Sequence, residues 1–240
     1  ANCGGGGIFF NYSSPIVKGN IISGNSAGLY LDGGGIYLYE SSPTIENNTI
    51  SGNNADEGSG IYMIGSSPTI HGNTIERNSA VDYGGGIFLG DHSSPIISNN
   101  IISDNTVDDY GGGIYIYYFC SPTIENNTIS GNSADEGGGI YVESSCSPNI
   151  SNNTISGNIT VDKGGGICDF NSSSTIQGNV ISENICSNSG GGIYAFSTST
   201  SIIGGADASD TSHFNTICGN IPDQVTPDLY PNNNIDDVCP

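Results

Sequence analysis

The chain of 240 residues carries 24 Asp and Glu against three Lys and Arg, a net charge of −21, and only 35% of its residues are hydrophobic. That charge argues against nucleic acid or an anionic membrane surface as a partner, and no stretch approaches the ~20 apolar residues of a membrane span. So small an apolar share suffices for a core only if the core is a narrow column repeated along an axis.

Such a repeat is present. Gly-Gly-Gly-Ile, or a near copy, ends at Ile8, Ile36, Ile61, Ile87, Ile114, Ile140, Ile167 and Ile193, in steps of 28, 25, 26, 27, 26, 27 and 26 residues. A period of this size marks one supersecondary unit stacked on the next. In residues 33–56, GGGIYLYE, SSPTIEN and NTISGN each alternate apolar and polar residues, as strands do. No 3.6-residue period persists, which excludes helix. Pro and Ser before the second segment, and Asn and Gly around the third, mark corners. The expected fold is an all-β, single-stranded right-handed parallel β-helix. It has about eight coils of ~26 residues with three short strands each. The repeats cover residues 1–220, with an insertion at about 204–213, and an irregular tail or cap follows at 221–240.

The columns of this solenoid can be written in chain order. The first strand of each coil contributes the eight Ile named above. Two residues on stand Phe10, Leu38, Met63, Leu89, Ile116, Val142, Asp169 and Ala195, so Asp169 interrupts an apolar column. The second strand contributes Val17, Ile45, Ile70, Ile97, Ile124, Ile150, Ile176 and Ile203; the third contributes Ile22, Ile50, Ile75, Ile102, Ile129, Ile155, Ile181 and Ile217. Two Asn columns, one from Asn20 to Asn215 and one from Asn25 to Asn220, sit at corners. There an amide can donate and accept at once, and both are read as structural ladders.

Three outward features are candidate sites. Asp56, Asp82, Asp109, Asp135 and Asp162 recur two residues before the glycines of five consecutive coils. Each is read as a turn residue or as part of a calcium-binding column, because stacked carboxylates repel and a hard cation relieves that repulsion. No other cofactor is expected. One residue after each inward Ile come Phe9, Tyr37, Tyr62, Phe88, Tyr115, Tyr141 and Tyr194, with Cys168 between the last two. Alternation puts them on the outer face of the first sheet, an aromatic contact face too long for ordinary surface scatter. Cys120 and Cys146 occupy equal register in adjacent coils, which suits a disulfide and an oxidising compartment. Asn-x-Ser/Thr sequons begin at Asn11, Asn47, Asn126, Asn149, Asn152, Asn158 and Asn171. They are acceptors for glycans in a secretory pathway, or accidents of a repeat that needs Asn.

The segments ISGNNADEGSGI at residues 50–61 and ISGNSADEGGGI at 129–140 resemble the repeats of polymorphic outer-membrane proteins. More broadly, the chain resembles right-handed parallel β-helix proteins of the pectate-lyase-like superfamily. That resemblance implies the fold and leaves function open among lyases, glycosidases, adhesins and stalks. Lyases of the superfamily need a basic residue beside calcium-holding acids. Lys18, Arg77 and Lys163 are isolated along this chain, and the outward acids Glu40, Asp91 and Glu143 fall in non-adjacent coils. The expectation is a secreted or cell-surface structural protein, not an enzyme. It would assemble head-to-tail with itself into a fibre or act as an adhesin-type stalk; the alternative is a module that binds or acts on cell-surface polysaccharide.

Overall fold

The computed structural model describes residues 4–28, 31–196, 198–204, 214–222 and 235–236. The expected insertion and most of the tail lie outside them, as do Cys3 and Cys239. The chain winds as a parallel β-solenoid. One eight-stranded sheet runs from Ile8–Asn11 to Ile193–Ala195, taking one strand from each coil in sequence order. A second eight-stranded sheet runs from Ile16–Lys18 to Ile202–Ile203. A third, of nine strands, runs from Ile21–Ser23 through Asn215–Cys218 to Ile235–Asp236. No described element is helical. Like pairs with like: Ile36 lies opposite Ile61, Ile45 opposite Ile70, and Ile50 opposite Ile75. From Ile36 to Ile193 the first Ile column is fully buried. Each such side chain contributes about 1.5–3 kcal/mol of transfer free energy.

The coil contains a fourth segment that the alternation did not predict. Asn54–Glu57 pairs with Ser79–Tyr83, and Ser133–Glu136 with Ile159–Lys163, just before the glycines. Both pairs contain a register shift because one strand has four residues and its neighbour five. The extra residue forms a β-bulge, and it accounts for part of the variation in repeat length.

Corner hydrogen bonds lock the register. Asn105 donates from its backbone N–H and from Nδ2 to Asn132 Oδ1, both at 3.0 Å. The second Nδ2 hydrogen reaches Ile75 O at 3.0 Å. Its Oδ1 accepts from the N–H and Nδ2 of Asn78. Asn alone offers two donors and a two-lone-pair acceptor on so short an arm, so both ladders recur coil after coil.

A serine column does similar work at the corner after the first sheet. The N–H groups of Ser13, Ser41 and Ser66 donate to the hydroxyls of Ser41, Ser66 and Ser93. Cys120 and Cys146 continue this column, and here the sequence expectation is corrected: both are thiols, not a disulfide. Cys146 Sγ accepts the Cys120 N–H at 3.2 Å, and Cys120 Sγ donates to Tyr117 O at 3.1 Å. Each sulfur is turned toward the backbone groups that a Ser hydroxyl would serve. Asp169 is wholly buried, and the hydroxyls of Ser174 and Ser201 donate to its Oδ2. Its Oδ1 has no partner.

Candidate functional site

The outer face of the first sheet is not the open aromatic surface that alternation predicts. The column is in register, Tyr37 against Tyr62, Phe88 against Tyr115, and Tyr115 against Tyr141. Yet Tyr62, Phe88, Tyr115 and Tyr141 are only 7, 4, 3 and 4% exposed, and Cys168 is fully buried. Tyr37 and Tyr194 are half-buried, and only Phe9 is exposed. The cover comes from the bulged corner. The residue before each glycine run, at Asp32, Glu57, Tyr83, Tyr110, Glu136 and Lys163, accompanies this face. Tyr83 stacks on Tyr115 at 4.9 Å and Tyr110 on Tyr141 at 4.8 Å. Within the column, Tyr62 stacks on Phe88 at 4.6 Å. The face is a second apolar core outside the solenoid lumen. Tyr83 and Tyr110 were missed because they lie just before the glycines, outside the three alternating segments. The repeated Tyr-Gly-Gly-Gly was their one signal in the sequence.

A groove remains open along this face. The next outward column holds Tyr39, Ile64, Gly90, Tyr117, Glu143 and Phe170. Gly90 supplies no side chain between Ile64 and Tyr117, and a Cβ there would meet Ile64 Cδ1 at 2.7 Å. Around this notch lies a cavity of about 420 Å³, lined by Glu57, Tyr62, Ile64, Tyr83, Phe88, Asp91, Tyr115, Tyr117 and Glu143. It spans four coils, about 14 Å at the inter-strand spacing. Tyr115 OH donates to Glu143, which fixes the carboxylate at the far end. Asp91 and His92 sit at a left-handed corner, as do Tyr118 and Phe119 in the next coil. His92 stacks on Phe119 at 5.5 Å, while Tyr118 and Phe119 stay 43 and 48% exposed. An aromatic platform therefore adjoins Tyr117 at the groove's rim, and sequence alternation did not extend to it.

Burial and charge shape the site together. Burial, with Asp32 next, pushes the Glu57 carboxyl up to about 7. Burial, with Asp56 next, pushes Asp32 up to about 6. Burial also raises the Tyr62, Tyr115 and Tyr141 phenols, which therefore stay neutral. Four coils from Glu57, Lys163 Nζ lies 3.1 Å from Glu136 and 2.7 Å from Asp162. It sits 5.8 and 5.3 Å from the ring centres of Tyr194 and Phe196. The other cations are far simpler: Lys18 pairs with Glu46, and Arg77 with its neighbour Glu76.

The acidic column does not fit calcium. Among the described residues, no three Asp, Glu, His or Cys side chains gather as a metal-binding group. The bulges explain this: Asp82 and Asp162 lie in five-residue segments and Asp56 and Asp135 in four-residue ones, so the carboxylates do not stack evenly. Burial, then the neighbouring Asp82, raises both Asp56 and Asp109, while hydrogen bonds from Asn188 and Lys163 hold Asp162 low.

The sequons divide by geometry. Asn11, Asn47, Asn126, Asn149, Asn152 and Asn171 are exposed. Asn158 is wholly buried and spends its amide on Asn184 Oδ1 and Ile129 O, so it cannot carry a glycan.

No curated protein and no solved structure matches the chain. Residues 32–181 match the family model described as a right-handed beta helix region. The match covers most of the chain and the whole of the groove, and the chain belongs to the right-handed β-helix family.

Proposed function

We propose that this protein is a secreted or cell-surface, non-enzymatic β-helix that holds a glycan along the outer face of its first sheet. The observation that carries this reading is the groove around Gly90, floored by Tyr62, Phe88 and Tyr115 and rimmed by Tyr117. Sugar rings present apolar faces that stack on aromatic rings, and hydroxyls that carboxylates accept from. A concave site of this size with a few placed polar groups suits a small ligand. The exposed sequons and the Ser-, Thr- and Asn-rich surface support an extracellular setting. The two ISGN-to-Gly-Ile segments support the finer assignment to the pectate-lyase-like superfamily and to repeats of the polymorphic outer-membrane type. The test is a panel of neutral and charged oligosaccharides titrated by calorimetry against the protein and its Tyr117→Ala variant. Binding to at least one class, weakened at least fivefold by the substitution, is expected. Failure of every class to bind would overturn the reading.

Head-to-tail self-association into a fibre is the second reading. What supports it is the uniform ladder: each coil pairs with the next in parallel and in the same register, so the strands of one copy could continue those of another. Light scattering across salt and calcium should show growing assemblies; monodisperse monomers throughout would sink this reading.

A further inference from the structure

We propose that the groove selects an amine-bearing glycan, an oligosaccharide of amino sugars with protonated nitrogens, over neutral sugars and uronates. The inference rests on the glycan-binding reading above and names its ligand class. Three carboxylates, Glu57, Asp91 and Glu143, reach the groove from three different coils, and none of its lining residues is a cation. Between them stand the rings of Tyr62, Tyr83, Phe88, Tyr115 and Tyr117. Ring faces attract an ammonium, the more so where water is excluded. A neutral sugar would leave the part-buried Glu57 and Glu143 uncompensated, and a uronate would add like charge to them and to the exposed Asp91.

The fold itself contains the arrangement that such a ligand would complete. The corner column runs in register from Glu57 through Tyr83, Tyr110 and Glu136 to Lys163. At its far end the Lys163 ammonium is held between outer-face rings and the carboxylates of Glu136 and Asp162. In the groove the same kinds of group, aromatic rings and carboxylates (Glu57 and Asp91 from corners, Glu143 from a first-sheet strand), face a space with no ammonium of the chain's own. The observation is a ligand-sized cavity lined by both aromatic faces and carboxylates, in a fold whose internal Lys163 shows what this pairing accommodates.

The experiment compares a glucosamine tetramer, its N-acetylated counterpart, a glucose tetramer and a galacturonate tetramer by calorimetry, at a pH where the amine is protonated. The glucosamine oligomer should bind at least tenfold more tightly than the N-acetylated one, with affinity that falls as salt rises. Asp91→Asn and Glu143→Gln should each weaken the amine form at least fivefold and the N-acetylated form by a clearly smaller factor. Glu143→Gln keeps an acceptor for Tyr115, and melts of the variants confirm folding. Equal binding of the N-acetylated or glucose oligomer overturns the amine proposal and leaves the glycan reading standing. Failure of all four oligomers overturns both. Because the whole protein is acidic, Glu46→Gln and Glu125→Gln on the second sheet serve as controls. If they weaken the amine form as much as the groove variants do, attraction is diffuse and the proposal fails.

Discussion

A single ladder asparagine shows how much one side chain determines here. Asn105→Ala removes two Nδ2 donors and the acceptor that serves Asn78, and strands the carbonyl of Ile75. Each buried group left unpaired costs about 1–3 kcal/mol, so the variant should lose roughly 3 kcal/mol or more in a denaturant titration. Asn20→Ala, at an exposed end of the same kind of ladder, should lose much less. The cysteines give a contrasting case. Because Cys120 and Cys146 stand in a serine column, the double variant Cys120→Ser and Cys146→Ser should melt within a few degrees of the parent, with or without reductant. A structural disulfide would instead cost about 2–5 kcal/mol on removal, and a large loss in the double variant would restore the bonded pair. Asp169→Val removes an orphaned buried oxygen but strands the buried hydroxyls of Ser174 and Ser201, each at about 1–3 kcal/mol, so the variant should melt below the parent.

At the scale of one element, the glycine run sets how closely coils approach. A Cβ on Gly113 would lie 2.5 Å from Gly139 O, whereas one on Gly157, at φ +63°, would meet nothing within 4 Å. Gly113→Ala should therefore destabilise by at least the 1–3 kcal/mol typical of overpacking. Gly157→Asn should be nearly neutral, since Asn tolerates the left-handed conformation. A thermal melt of each variant checks the pair. The corner before the glycines carries the pH response. Asp32 and Glu57 both titrate higher in the folded chain than in an unfolded one. Their contribution to stability is fully present below the unfolded carboxyl pKa of about 4 and is lost as pH rises through about 6 to 7. The melting temperature should thus fall between pH 5 and pH 8, and Glu57→Gln should flatten that slope. A slope unchanged in Glu57→Gln would place the response elsewhere.

For the molecule as a whole, charge opposes the fold more than any one pair supports it. With −21 on 240 residues, added salt should raise the melting temperature by screening self-repulsion. A chelator should leave the melt where a salt-matched control puts it, since the Asp column assembles no cation site; a fall beyond the control would reinstate calcium. Neither measurement depends on what the groove binds.

Periodicity alone determined the coil, the three main sheets, the facing of every Ile column and both Asn ladders. Each of these follows from chain-local alternation repeated at a near-constant step, and identical partners across coils then leave one register. What only the tertiary structure decided lies where the period slips. One inserted residue before the glycines makes a bulge in some coils, and the residue that follows it, in register from coil to coil, sets Tyr83 and Tyr110 over the first sheet and turns a supposed open aromatic face into a covered one. The same bulge breaks the even stacking of Asp56 to Asp162. The groove exists because Gly90 interrupts a column and because Glu57, Asp91 and Glu143, dispersed in sequence, meet on one surface. Cys120 and Cys146 share a register that sequence can count, but the direction of each sulfur is set by the backbone donors around it. Alternation says which face a residue occupies. What lies above that face depends on segments from neighbouring coils.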